Sequence, residues 1–369
     1  MRLFSRRTER GERLHLGLSQ GLRSDALGRQ AGAGSPPDRL DRGEEPILVD
    51  FAQLVEQVAV EIDVQTVPAD EGQVWLRVRG GSAVPHTLLQ LLESGDAWWQ
   101  LALRLSDRAQ ALLASDRQFS STGRGDPLPI LVRPVSVRDF YAFEEHVRKA
   151  RAQRGLEMVP EWYQFPAFYF SNALCMLGDE DVVFPPRTTR CLDLELEAAL
   201  VVRKEVRDAQ ANELLDVTAG LTLMNDWSAR DVQREEVKVG LGPAKGKDFA
   251  TSLGPCLVTW DELSGAVSDP GDGRGPRVDL HMRAVINGRE LTQGNLRDLY
   301  FTLGELVARA SEGVTLHPGE VIGTGTVGGG CILEWGEATQ RWLLPGDEVS
   351  IAMEGVGRMT NRIGDAQGG

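Results

Sequence analysis

The chain has 369 residues, 41% of them hydrophobic and 25% charged, with 41 Gly and 18 Pro. This is the composition of a folded, loop-rich globular protein of about two domains, and it excludes collagen-like, coiled-coil and wholly disordered classes. Its 40 basic and 54 acidic residues leave a formal net charge of −14, which argues against nucleic acid and anionic membranes as partners.

Residues 1–30 carry seven Arg against three acids and lead into a Gly/Pro/Asp-rich stretch at 31–46, so 1–46 is expected to be a basic, flexible segment. No apolar run approaches the roughly 20 residues of a membrane span, and LHLGL is too short for a signal-peptide core, so a cytoplasmic location is expected. The four cysteines lack CxxC spacing, which fits buried thiols in a reducing compartment better than disulfides or a sulfur-held metal. Residues 47–130 mix short strands, including alternating VWLRVRG at 74–80, with helical runs such as AWWQLALRLSDRAQALLASD at 97–116. They are expected to form a small N-terminal domain. STGRGDPLPILVRP at 121–134 has the Gly and Pro content of a linker, and 131–369 is the domain that carries chemistry. Strand-like runs dominate there, so the predicted class is α+β and β-rich.

Three clusters stand out. In CLDLELEAAL at 191–200, Asp193, Glu195 and Glu197 alternate with leucines, so one strand would put all three acids on one face, about 7 Å apart. The run continues into AALVV, apolar on both faces, which implies burial. Buried like charges need a compensating cation, and this favours a hard metal over a solvent-facing strand edge. In LTLMNDWSARDVQREE at 221–236, Asp226, Arg230 and Gln233 fall at i, i+4 and i+7 of a predicted helix that follows a strand. In SVRDFYAFEEHVRKARAQ, Ser136 and Asp139 have near capping-box spacing, and His146 lies two turns, about 10 Å, beyond Asp139 on one helix face. A fourth feature, EVIGTGTVGGG, has GxGxxG spacing at Gly323, Gly325 and Gly328, but GGCILEW after it reads as a strand rather than a helix. Dinucleotide binding is therefore not expected, and these glycines serve close backbone approach instead.

LDLELEAALVV, NDWSARDVQ, GKDFATSLGP, HPGEVIGTGT and LPGDEVSIAMEGVGRMTN stand in the order typical of the fumarylacetoacetate hydrolase family, and residues 134–365 resemble its fumarylacetoacetase-like subgroup. The resemblance implies a C-terminal mixed β-sandwich roll with a smaller N-terminal α/β or SH3-like domain, a homodimer, and a divalent metal, Mg²⁺ or Mn²⁺/Ca²⁺. It implies Asp139, Glu195, Glu197 and Asp226 as metal ligands, which agrees with oxygen-only ligation of a hard cation. By the same resemblance, His146 and Glu334 activate water, and Arg230, Gln233 and Lys247 surround a developing oxyanion. The resemblance also implies that Tyr141, Tyr169 and Thr326 line the substrate pocket. The implied reaction is hydrolysis of a C–C bond in a 1,3-diketo acid such as an acylpyruvate, in aromatic-compound catabolism. A decarboxylase, hydratase or isomerase acting on a 2-oxo acid through the same chelated enolate is the alternative, and a catalytically silent protein with a structural metal is the third reading.

Overall fold

The structure is a computed structural model that describes residues 1–9, 11–18, 46–58, 84–115 and 125–366. The expected strand at 74–80 and nearly all of the Gly/Pro-rich stretch at 31–46 lie outside the described residues. The strands used below are β1 (Arg2–Thr8), β2 (Gly11–Leu18), β3 (Ile47–Asp50), β4 (Val137–Phe140), β5 (Phe168–Ser171), β6 (Leu196–Val202), β7 (Thr218–Asp226), β8 (Thr251–Thr259), β9 (His281–Ile286), β10 (Arg289–Asn295), β11 (Val321–Gly323), β12 (Glu348–Met353) and β13 (Gly357–Ile363). The helices are α1 (Phe51–Val58), α2 (Leu88–Glu93), α3 (Asp96–Ala114), α4 (Glu144–Ala152), α5 (Arg230–Glu236) and α6 (Ile332–Trp335).

One large mixed sheet runs in the order β3-β2-β1-β8-β7-β6-β11-β4-β5, antiparallel at every step except β11 to β4. A second sheet, β10-β9-β12-β13, extends to a short strand at Val182–Val183. The alternation of β6 explains its apolar sequence on both faces. Ala198, Leu200 and Val202 point into a core shared with Met282, Ala284, Ile351 and Met353 of the second sheet. Ala199 and Val201 point the other way, into a core shared with α1, α2 and α3. Both cores are leucine-rich, and each fully buried leucine contributes about 1.5–3 kcal/mol.

The arrangement corrects the expected division of the chain. Within the segment expected to be flexible, β1 and β2 are strands, and Leu3 pairs with Leu257 of β8, deep in the C-terminal half. The stretch taken as a linker is also built in. Ile130 and Leu131 are buried, and the Ile130 N–H donates to the Leu253 carbonyl at 3.1 Å. Apolar alternation in LFSRRT is masked by its arginines, so hydrogen bonding to β8 could not be inferred from the stretch itself. Among the described residues, no helix is long and apolar enough to cross a membrane.

Cross-strand register assembles the site. Tyr169 of β5 lies opposite Asp139 of β4, Asp139 opposite Gly323 of β11, and Gly323 opposite Ala199 of β6. Glu197 pairs with Met224, two residues before Asp226 at the end of β7. Side chains two residues apart share a face. Asp139, Glu197 and Asp226, from three strands, therefore emerge on the face that Val137, Ala199 and Met224 bury against the helices.

Candidate active site and metal centre

Ligand atoms of Asp139, Glu195 and Glu197 lie within 4.8 Å of one another, and all three residues are buried. Lys247 Nζ donates to Glu195 Oε2 and to Asp226 Oδ2, each at 2.5 Å, which brings the fourth acid into the group. The Tyr169 hydroxyl contacts Asp226 Oδ2 and lies 3.2 Å from Asp139 Oδ2, but its one proton serves only one of them. Gly325 N–H and the Thr326 hydroxyl donate to the two oxygens of Glu197 at 3.0 and 3.4 Å.

Burial raises the Asp139 carboxyl well above its ordinary value, and the neighbouring Asp226 raises it further. Burial likewise lifts Glu197 well above the ordinary range, with Asp139 and Glu195 adding to it. Burial also raises Asp226, against the pull of Lys247. For Glu195 burial acts the same way, but the charges of Lys247 and Arg230 outweigh it and hold this carboxyl below the ordinary value. Asp139 Oδ1 and Asp226 Oδ1 are buried and receive no donor. Converging carboxylates with orphaned oxygens and raised affinity for protons are what a small hard cation would satisfy, so the residues present fit a divalent metal.

The second group is built around α4 and α6. His146 Nδ1 lies 2.7 Å from Glu334 Oε1, and both side chains are buried. Gly329 N–H donates to the other oxygen of Glu334 at 2.6 Å, and Trp335 Nε1 fixes Gly329 through its carbonyl at 2.8 Å. The Tyr141 ring stands edge-on to the imidazole with centroids 5.3 Å apart, and burial pushes its phenol up to about 12. Cys331 Sγ points at Glu334 Oε1 from 3.4 Å. Arg230 joins the two groups: its Nη2 lies 2.7 Å from Glu195 Oε1 and its Nε donates to Asp193, which accepts the Ile332 N–H of the helix that carries Glu334.

Several local expectations are corrected. Asp193, Glu195 and Glu197 do not share one strand face, because the strand is interrupted at Leu194 and Glu195, between the short strand Leu192–Asp193 and β6. Asp193 serves α6: it accepts Ile332 and Leu333 N–H at 2.7 and 3.1 Å and Arg230 Nε at 2.8 Å. Asp226 closes β7, and α5 begins only at Arg230, so these two residues are not on one helix. Gln233 does lie on α5, where its Oε1 accepts Arg230 Nη1 at 3.1 Å. Asp139 lies on β4 and His146 on α4, so the seven-residue spacing is not two turns of one helix. Glu334 sits on the short helix α6 rather than on a strand. Sequence reasoning missed Asp193 as the link between Arg230 and the Glu334 helix. It also passed over Cys331, whose only signal was its position three residues before Glu334.

The glycines are explained by packing. A Cβ on Gly323 would lie 2.3 Å from Met224 Cε and 2.8 Å from Asp139 Oδ1. Gly325 has φ +82° and its Cβ would meet the Phe140 carbonyl at 2.4 Å. Gly325→Ala is therefore expected to cost at least about 1–3 kcal/mol in urea unfolding and to weaken metal binding, since Glu197 depends on that N–H. Unchanged stability in this variant would mean that the backbone there is not constrained.

A family model described as fumarylacetoacetate hydrolase C-terminal matches residues 136–364. The chain belongs to the fumarylacetoacetate hydrolase family. It is 30% identical to the fumarylacetoacetase of Bos taurus over 326 residues, 71% of this chain and 78% of that one. To the fumarylacetoacetase of Arabidopsis thaliana it is 30% identical over 58% of this chain, and it spans 63% of that relative's length. It is also 30% identical to an Escherichia coli 4-hydroxyphenylacetate degradation bifunctional isomerase/decarboxylase, over 54% of this chain and 41% of that one. Among solved structures, the fumarylacetoacetate hydrolase of the psychrophile Exiguobacterium antarcticum aligns over 99% of both chains with a TM-score of 0.61 at 18% identity, a likeness of fold. The α+β, sheet-rich class expected from the sequence is the class of this family. Its enzymes act on small molecules, and hydrolases and isomerase/decarboxylases both occur among the relatives.

Proposed function

We propose that this protein is a metal-dependent hydrolase that cleaves the C–C bond of a 1,3-diketo acid of the fumarylacetoacetate or acylpyruvate type. The observation that carries the reading is the buried His146–Glu334 pair, 2.7 Å apart, beside the four-carboxylate centre. Glu334 holds the imidazole through Nδ1, which leaves Nε2 as the base that removes a proton from water. Gly329 N–H fixes the other oxygen of Glu334, so this side chain stays aimed at Nδ1 when an imidazolium forms in this step.

Asp139, Glu195, Glu197 and Asp226 would hold Mg²⁺, or Mn²⁺ or Ca²⁺, and the cation when bound would polarise the two oxygens of the chelated diketone. Arg230, the amide of Gln233 and Lys247 would balance the charge that develops when hydroxide adds to the distal carbonyl. Tyr169 and Thr326 orient carboxylates of the centre, and Tyr141 walls the imidazole from bulk water. Collapse of the adduct breaks the C–C bond, and a proton returned to carbon completes the formation of two acids. The test is a product assay on a small acylpyruvate with chelated and metal-reloaded protein. Two acids in equal amounts support the reading. A second reading, decarboxylation or isomerisation of a 2-oxo acid, is favoured by the E. coli relative's name, and CO₂ release or a retained carbon skeleton would select it.

Metal addition provides a further check through pH. Asp139, Glu197 and Asp226 bind protons more tightly in the folded chain, so their stabilisation is complete below the ordinary carboxylate range and is lost as pH rises through the raised values. Glu195 has the opposite sign and its contribution is lost on acidification. Three groups against one predict that metal-free protein loses thermal stability as pH rises above the ordinary carboxylate range. A divalent cation at about 100 times its dissociation constant should restore about 2.7 kcal/mol. Calorimetry of chelated and reloaded protein should therefore show a metal-induced rise in Tm that grows with pH. A larger rise at the acid end would contradict the carboxylate assignment.

A further inference from the structure

The His146–Glu334 pair has a third member that water activation does not use. Cys331 Sγ is 3.4 Å from Glu334 Oε1 and 3.9 Å from His146 Nδ1, and the three side chains are buried together. One nitrogen, one sulfur and one oxygen donor on a common face form the ligand set of a borderline or soft divalent ion such as Zn²⁺ or Cd²⁺, whereas the neighbouring all-oxygen centre suits a hard one. The spacing agrees. Zinc bond lengths of about 2.3 Å to sulfur and about 2.0–2.1 Å to nitrogen and oxygen give tetrahedral edges of about 3.5 Å from S to N or O and about 3.3 Å from N to O. The observed S–O, S–N and N–O separations are 3.4, 3.9 and 2.7 Å. The N–O distance is shorter because a proton now lies between those atoms. Replacing that proton with a metal would open the edge by about 0.6 Å, a small swing of Glu334 about the oxygen anchored on Gly329 N–H.

We propose that His146, Cys331 and Glu334 form a second, inhibitory metal site selective for thiophilic divalent ions such as Zn²⁺ and Cd²⁺. Binding breaks the Cys331 S–H bond, whose proton leaves to solvent, and shifts the His146 proton from Nδ1 to Nε2 by exchange with solvent. The thiolate, the freed Nδ1 lone pair and a Glu334 oxygen then form metal–sulfur, metal–nitrogen and metal–oxygen bonds, and no electron is transferred. Burial, with Asp193 and Glu334 adding to it against Arg230, holds the Cys331 thiol well above its ordinary value, so the thiol keeps its proton until a cation replaces it. An imidazole held by metal at Nδ1 carries its proton on Nε2 and has no lone pair left to take one from water, so water activation stops. The inhibitory consequence rests on the proposed hydrolase mechanism. The binding site stands on the geometry alone.

The experiment uses full-length protein with Mg²⁺ in excess to fill the carboxylate centre. Cd²⁺ is titrated while the ultraviolet thiolate-to-cadmium charge-transfer band is followed, and Zn²⁺ inhibition of acylpyruvate cleavage is measured in parallel. One thiolate–cadmium bond per chain is expected, lost in Cys331→Ser and kept in Cys175→Ser. The zinc concentration for half-inhibition should rise at least about tenfold in Cys331→Ser, the scale at which a missing metal partner is felt. X-ray absorption of unmodified, Mg²⁺-saturated protein carrying one equivalent of Zn²⁺ gives a check that needs no variant, and one sulfur at about 2.3 Å is expected. A band that survives Cys331→Ser, or a zinc shell of oxygen and nitrogen alone, overturns the site. Equal zinc sensitivity of wild type and Cys331→Ser overturns its inhibitory role. The charge-transfer band with no diketo-acid cleavage by the Mg²⁺ protein would refute the hydrolase reading and leave the site standing.

Discussion

His146→Ala is expected to lower kcat for acylpyruvate hydrolysis about 10²–10⁴-fold, the range over which a positioned general base acts, while metal affinity and Tm stay near those of the parent. The imidazole makes one strong hydrogen bond, to Glu334, and is not among the four carboxylates of the metal centre, so its removal separates water activation from substrate chelation. KM should change little, because in the proposed mechanism the carboxylate centre and its cation, rather than the imidazole, would hold the diketone. Glu334→Gln should retain part of the activity, since the amide oxygen still accepts from Nδ1–H but no longer balances an imidazolium. Steady-state kinetics on both variants, with calorimetric metal titration, provide the measurement. A His146→Ala enzyme that hydrolyses the substrate at the parent rate would show that water is activated elsewhere.

Arg230→Met is expected to destabilise the protein by about 3–5 kcal/mol and to abolish activity, because two buried carboxylates lose their shared cation at once. Arg230 Nε donates to Asp193 Oδ2 at 2.8 Å, and Nη2 lies 2.7 Å from Glu195 Oε1. Asp193 also accepts the Ile332 and Leu333 N–H groups at the start of α6, which carries Glu334. One guanidinium thereby ties a carboxylate of the candidate metal centre to the support of the His146–Glu334 pair. The double variant Asp193→Asn, Arg230→Met should recover part of the lost stability, since no uncompensated charge then remains at that position. Urea unfolding of the singles and the double completes a mutant cycle. Strict additivity would mean that the two side chains are energetically independent despite their contact.

How much of this was legible beforehand differs from residue to residue. The run LELEAALVV announced a buried acid-bearing strand, because a hydrophobic sequence on both faces admits few other readings. The family resemblance placed Asp139, His146, Glu195, Glu197, Asp226, Arg230, Lys247 and Glu334, and the structure gathers these residues in two adjoining groups. Periodicity misled where a turn intervenes. Asp226 to Gln233 and Asp139 to His146 both have helical spacing, yet each pair straddles a strand end and a helix start, where the spacing no longer measures a common face. Nothing in LFSRRT marks it as a partner of β8, because strand pairing at a distance of some 250 residues leaves no local pattern.

The sequence by itself determined the chemistry available: oxygen donors in excess, one histidine seven residues after Asp139, and glycines where carboxylates and backbone crowd together. Only the tertiary structure decided which acid does what. Asp193, Glu195 and Glu197 are equivalent as letters, yet one supports a helix, one is held ionised by Lys247 and Arg230, and one is driven toward its protonated form. The difference is electrostatic and local. It depends on which cation, backbone N–H or competing carboxylate the fold brings within hydrogen-bonding distance, and those partners come from strands and helices scattered through the chain.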